Sequence, residues 1–241
     1  MKNRTTPVAA VIVATAGLTV AANAGVRIIH ASPDTPNVDV YVNQTPLIDT
    51  PAVPNLAFTE GTDYIALPTG DYDVQVAAAG TDTVPLQVNP FSVDDTQDVT
   101  VVAGNFLSSI EPFVFTDDRT SDANNARVRF IHMAPDVDTV DVAVAGDALP
   151  LFNAVSFGQS GGYLTLPAGT FDLDVRFDAD DSVALPVPGV TLRAGLVYTI
   201  FAMGSLQTND VQPVVFVDAI PAPGAVATLG LAGLMATRRR R

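Results

Sequence analysis

Apolar and polar residues alternate with a period of two along much of the chain. Val26, Ile28 and His30 interleave with Arg27, Ile29 and Ala31, and Val38, Val40 and Val42 with Asp39, Tyr41 and Asn43. Phe171, Leu173, Val175 and Phe177 share one phase, with Asp172, Asp174, Arg176 and Asp178 on the other. Such a period marks half-buried antiparallel strands, one side on a core and the other in water. No long helical periodicity competes with it, and the 18 prolines make long helices less favourable still. Leu67-Pro68-Thr69-Gly70 and Leu166-Pro167-Ala168-Gly169 fit tight turns with Pro second and Gly fourth, and predict a hairpin at each place.

The strand pattern occurs twice. VRIIHASPDTPNVDVYV (26–42) aligns without a gap to VRFIHMAPDVDTVDVAV (128–144), and YIALPTGDYDV (64–74) to YLTLPAGTFDL (163–173). Val99-Thr100-Val101-Val102-Ala103 corresponds to Tyr198-Thr199-Ile200-Phe201-Ala202, and Pro112 and Phe115 to Pro213 and Phe216. A repeat of about 100 residues is far longer than a solenoid unit and has the size of a small sandwich domain. The expected fold is all-β: two tandem immunoglobulin-like or transthyretin-like antiparallel β-sandwiches, of about seven strands each. Their bounds are 25–115 and 126–218, with the polar stretch 116–125 (TDDRTSDANN, Thr116 to Asn125) as a linker.

The two ends follow neither pattern. Lys2 and Arg4 precede an apolar stretch from Val8 to Val20, and Ala22-Asn23-Ala24 offers small residues at Ala22 and Ala24, where a signal peptidase inspects the chain. Residues 1–24 are thus expected to be a signal peptide for Sec-type export, with a mature start at Gly25. At the other end, 219–241 runs through Pro221 and Pro223 into AVATLGLAGLMAT and closes on Arg238, Arg239, Arg240 and Arg241. This apolar run is marginal against the ~20 residues that span a bilayer, and the four Arg would stay on the cytoplasmic side. The tail resembles a PEP-CTERM-type sorting signal, departing from that pattern at Ala222. The resemblance implies handling by an exosortase-like membrane peptidase and delivery to the cell envelope or matrix. Either cleavage of the tail or its retention as a membrane anchor fits the sequence.

Separating the ends changes the meaning of the charge. The whole chain has 12 Lys+Arg, 26 Asp+Glu and a formal net charge of −14. Only Arg27, Arg119, Arg127, Arg129, Arg176 and Arg193 lie in the interior, which holds every acidic residue, so that region carries 6 − 26 = −20. A nucleic-acid partner is excluded, since phosphate binding needs clustered cations. Cys is absent, which removes disulfides, thiolate metal sites and Cys nucleophiles. The acidic residues are nearly all Asp, which suits a turn-rich β-protein; a saline habitat is an alternative cause.

Candidate chemistry is sparse. His30, Ser32 and Asp34 carry the letters of a hydrolase triad, but a triad needs its members converging in space, these sit within five residues around a strand end, and the second copy (His132, Ala134, Asp136) lacks the Ser. His30 and His132 sit on the apolar phase of their strands. They are expected to be core-edge imidazoles bonded to a carbonyl or to a loop Asp, and Asp34 and Asp136 to be turn formers. His30, Asp34 and Asp39, with His132, Asp136 and Asp141, are the candidate binding residues. Asp178, Asp180 and Asp181 form the densest carboxylate loop, with Asp94-Asp95 and Asp117-Asp118 as further pairs. Calcium is the metal that such oxygens suit, with Asp178, Asp180 and Asp181 as its candidates, but none of these runs has the spacing of a calcium loop, so they are read as solvated runs and no cofactor is expected. Tyr41 is the one aromatic on an outward strand phase, and its counterpart is Ala143, so no repeated sugar platform is present.

The string V-R-[IF]-I-H-x-x-P-D followed by V-D-V, and then Y-x-x-L-P-x-G, is similar to the DUF4397 family of domains. That resemblance implies an exported, often tandem, bacterial β-sandwich module and supplies no catalytic residues. The sequence therefore points to an exported surface or matrix protein with a structural or interaction role, not an enzyme. A ligand-binding module acting through the H-x-x-P-D loops is the alternative, and a hydrolase a more remote one.

Overall fold

The computed structural model describes residues 24–46, 48–94 and 96–219. Ala22, Pro221, Pro223 and Arg238 to Arg241, and with them nearly all of the two expected sorting segments, lie outside the described residues, as does Asp95. Among the described residues no helix is long and apolar enough to cross a membrane.

Among the described residues there are sixteen strands and one short 3-10 turn (Leu107–Ser109). The first copy contains β1 (Ala24–His30), β2 (Val38–Val42), β3 (Val53–Leu56), β4 (Ile65–Leu67), β5 (Gly70–Ala78), β6 (Leu86–Val93), β7 (Asp98–Gly104) and β8 (Glu111–Asp117). The second repeats them as β9 (Asn125–Met133), β10 (Val140–Val144), β11 (Pro150–Val155), β12 (Ser160–Pro167), β13 (Gly169–Phe177), β14 (Val183–Leu192), β15 (Val197–Met203) and β16 (Gln212–Ala219). Each copy is a sandwich of two four-stranded sheets, β4-β1-β7-β8 over β3-β2-β5-β6, and β12-β9-β15-β16 over β11-β10-β13-β14. There are thus eight strands per copy where about seven were expected; the short β3 and β4 carry little periodic signal.

Two expectations about strand pairing are corrected. The Leu-Pro-x-Gly turns do not close hairpins: β4 pairs with β1 and β5 with β2 and β6, so the turn carries the chain from one sheet to the other. The second copy does the same between β12 and β13. Proline ends the first strand because it cannot donate to a ladder, but nothing in a Pro-Gly turn fixes which sheet receives the next strand. Nor is β1 in a purely antiparallel sheet, since it runs parallel to β7, as β9 does to β15.

The period-two reading held for the sandwich interiors. Val128, Phe130, Val142, Phe152, Leu173, Val175 and Ile200 fill the second sandwich. Val38, Val40, Val53, Leu56, Val76 and Leu86, with a neighbouring cluster around Val26, Phe91 and Val93, fill the first. The opposite phase of the central strands was expected to face water, and it does not. Arg27, Ile29 and Ala31 are buried, and in β15 every residue is. The sheet containing β1 and β7 packs against the sheet containing β9 and β15. Between them lies a further core of Ile29, Ala31, Val102, Ile131, Met133, Phe201 and Met203, edged by Phe113, Phe157 and Phe216. Gly61 lets this layer close, because a Cβ there would fall 2.8 Å from the Phe216 ring of the other module.

Since large-to-small changes in a close-packed core lose both transfer energy and packing, Ile131→Ala is expected to cost about 2–5 kcal/mol. Urea unfolding followed by fluorescence and far-ultraviolet dichroism should show that loss in one shared transition of both modules.

Candidate functional site

The motif residues that carry the candidate chemistry are consumed by the fold. His30 and His132 both have 0% exposure. His30 Nε2 donates to the Pro36 carbonyl at 3.2 Å, and its Nδ1 accepts the Ser32 N–H at 3.4 Å. His132 Nε2 faces the carbonyls of Val137 and Asp138 at 3.1 and 3.2 Å, and Nδ1 accepts from Ala134 N. These partners fix the neutral tautomer with its proton on Nε2. Burial lowers the pKa of both rings from 6.5, against the carbonyl contacts that raise it.

The triad letters diverge. Ser32 is buried and its hydroxyl meets that of Thr35, not the imidazole. Asp34 turns the other way, accepting the Leu107 N–H at 2.7 Å in the 3-10 turn between β7 and β8. Asp136 does the same in the second copy more fully, accepting from Ser205 Oγ (2.7 Å), Leu206 N (2.9 Å) and Gln207 N (3.1 Å). Burial opposes the Asp136 charge, but these three donors outweigh it and lower its pKa. The H-x-x-P-D string is thus a loop lock, with His closing its own turn and Asp holding the distant β7–β8 or β15–β16 connection.

The Asp of V-D-V has a similar task. Asp39 accepts from Asn55 N at 2.7 Å and from Gly80 N at 2.9 Å, and Asp141 from Ala154 N at 2.7 Å. Asn55 and Ala154 are both left-handed, at φ 52° and 53°, so the carboxylate holds an irregular point of the adjacent strand. Tyr41, expected to face outward, is buried at 4% exposure. The outer phase of the paired strands is covered in both copies, since Asp39, Asp141 and Ala143 are buried as well. Asp178, Asp180 and Asp181 occupy the β13–β14 hairpin loop, where Asp180 accepts from Ser182 N and Oγ. Among the described residues no three His, Asp or Glu side chains come together as a metal would require.

The site that the sequence did not disclose lies between the modules. Arg27 and Arg129, both 2% exposed, hold equivalent places in β1 and β9. In the parallel register Arg27 lies beside Thr100 and Arg129 beside Thr199. Arg27 donates to Thr100 Oγ1 through Nε and Nη2 (3.1 and 2.9 Å), and reaches Asp218 of the other module through Nη1 at 2.8 Å. Arg129 donates to Thr199 Oγ1 at the same distances, and reaches Asp117 of the first module at 2.5 Å. Each Thr hydroxyl donates to the Asp of its own module, Thr100 to Asp117 and Thr199 to Asp218, both at 2.6 Å. The bonds close a ring of six side chains: Arg27, Asp218, Thr199, Arg129, Asp117, Thr100.

Tyrosines complete it. Tyr64 donates to Asp117 at 2.8 Å and lies under the Arg27 guanidinium, and Tyr163 donates to Asp218 at 3.3 Å and lies under Arg129. Burial, the largest influence, raises the pKa of both phenols, so they remain donors. Asp117 had been paired with Asp118 as a solvated run in the linker. Instead it ends β8 at 0% side-chain exposure, because Arg129 pairs with it and Thr100 and Tyr64 donate to it. The segment after it is tied down too: Arg119 donates to the Asp218 carbonyl at 2.7 Å, stacks 4.1 Å from the Tyr64 ring centre and pairs with Asp98. One signal was available in the sequence. Of six interior Arg, two fall at equivalent places of the repeat, on otherwise apolar strands, with Thr and Asp also repeated.

These features define a class of protein: a tandem pair of β-sandwich modules joined face to face by reciprocal buried ion pairs. The family described as a domain of unknown function (DUF4397) matches residues 24–143 and 126–228, and the chain belongs to that family in two copies. No curated protein matches the chain.

Removing one member of a buried pair strands the other, so Arg129→Met should cost about 3–5 kcal/mol. The double change R129M/D117L should recover part of that loss. Because buried pairs are poorly screened, the single-variant loss should be about the same at low and high salt in chemical denaturation. The histidines predict a pH dependence. Their folded pKa lies below 6.5, so the unfolded chain takes up protons first. The stability that the neutral rings contribute is complete above about pH 6.5 and falls on acidification below it. Melting curves should show that decline as the pH falls below about 6.5, and H30N/H132N should flatten it.

Proposed function

We propose that this protein is an exported cell-surface or matrix component with a structural or interaction role, in which the tandem modules act as one rigid unit and no catalysis takes place. The observation that carries this reading is that the repeated His, Asp and Arg side chains are engaged with partners inside the fold. A hydrolase would need Ser32 beside His30 and open to a substrate, and a ligand site in the H-x-x-P-D loops would need free polar atoms there.

The start of β1 supports export. Gly25 N donates to Asp98 Oδ1 at 2.7 Å. Cleavage after Ala24 would leave an ammonium at that point beside the carboxylate, at the cost of one strand residue. A Cβ on residue 25 would come within 2.7 Å of the same oxygen, so Gly suits the position. The C-terminal apolar segment and its four Arg add an anchor or sorting device, with signal peptidase and an exosortase-like peptidase as the processing partners.

The full chain, expressed in a bacterium that has both peptidases, should be recovered from the envelope or medium with Gly25 as its first residue by intact mass. Recovery from the cytoplasm with residues 1–24 attached would refute the export reading. Labelling of Ser32 by a fluorophosphonate probe would refute the non-catalytic one.

A further inference from the structure

The ring of buried charges is the same from either side, but the apolar layer beside it is not. Four positions of each module meet at this layer. In the first module they are Ile29, Ala31, Val102 and Gly104; in the second their counterparts are Ile131, Met133, Phe201 and Met203. At three of the four the second module carries the larger side chain. The fit is direct at Gly104, where an added Cβ would fall on the methyl group of Met133. The pseudo-two-fold relation sets Ala31 opposite Met203 in the same way. Ala31, Met133 and Met203 are all at 0% exposure.

We propose that this face is a heterotypic pairing surface: it recognises any module through the charge ring but accepts only the module of the opposite type. A first module released from its tether takes the second module of another copy of this chain as its partner. Every possible pair brings Arg, Thr, Asp and Tyr to both sides, so the ring forms in all of them and cannot discriminate. Size can. Two second modules would set Met133 against Met203 twice, with no room for either, and overpacked cores are destabilised. Two first modules would set Ala31 against Gly104 twice and leave voids, which lose contacts on both sides. The like-with-like arrangements are thus penalised by opposite faults, in the manner of interfaces that combine attraction to one partner with a clash against another.

The test uses the full chain with a protease site inserted after Ser121, an exposed position between β8 and β9. After cleavage, protein with natural isotopes and ¹⁵N-labelled protein are mixed in urea, refolded together and weighed by native mass spectrometry. The proposal requires first-module:second-module pairs only, with light and heavy partners exchanged freely. Homotypic pairs, or two folded modules that do not associate, would overturn it. The G104M chain treated in the same way should lose the pair, and G104M/M133G should regain it by returning the space. If G104M prevents folding, the rescue still decides, because failure of G104M/M133G to restore the pair would contradict the size code.

Discussion

Two guanidinium groups lie in a layer from which water is excluded, and each is neutralised by a carboxylate from the opposite module. Taking an ion of this size out of water costs several kcal/mol, and the cost is offset only when partners are close and the remaining donors and acceptors are filled. Here Asp117 accepts from Arg129, Thr100 and Tyr64; Asp218 accepts from Thr199 and Tyr163 and is ion-paired with Arg27, and each Arg lies between a neighbouring Thr and the distant Asp. Neither half of this set is complete in one module. A module alone would hold an Arg and an Asp, but the carboxylate that faces each Arg belongs to the other. The two sandwiches are therefore coupled by electrostatics as well as by apolar packing.

The ring also fixes how the two sheets lie on one another. Side chains on one face of a strand recur every two residues, so a purely aliphatic contact could slip by that step at modest cost. A slip of the ring would move Arg27 away from Asp218 and leave the guanidinium buried without its opposing charge. Beyond the ring the layer becomes apolar, through Ile29 and Ile131 to the Met133–Gly104 contact. Register and partner choice thus come from different parts of one surface, charge for the first and size for the second. The joint is not fully symmetric at its rim. Arg127 stacks on Tyr163, but its counterpart in the repeat is Gly25, and Arg119 from the connecting segment stacks on Tyr64 instead. The connection between modules is in this way part of the interface.

The sandwich interiors were legible in the sequence because alternation reports one buried face well. Phe171, Leu173 and Val175 could only be the inside of β13, and the repeat identified its twin. Alternation fails for a strand buried on both faces. Arg27 and Asp117 have the composition of a solvated phase, and single-strand patterns cannot separate a polar residue in water from one held by partners far along the chain. Tyr41 is misread for the same reason, because β2 too is buried on both phases. The Leu-Pro-x-Gly turns announced a change of direction but not the sheet that receives the next strand, which depends on pairing with β1 and β2. The histidines were readable because their partners are local: a carbonyl six residues away closes the turn in each copy.

The distribution of positive charge follows from the same arrangement. The interior of the sequence has six Arg, no Lys and 26 acidic residues. Arg27 and Arg129 are spent in the ring, and Arg119, Arg127 and Arg176 pair with Asp98, Asp118 and Asp174 nearer the surface. With most of the few cations already matched, the exterior field is set by carboxylates. Sheets with free outer strands such as β8 and β16 invite edge-to-edge association, which charge on the surface opposes. An acidic exterior repels other copies wherever they approach, while the one face that must bind a second module carries its own positive charge within it. Attraction is thereby confined to the surface where Arg meets Asp, and the acidity of the rest sharpens the selectivity of that face.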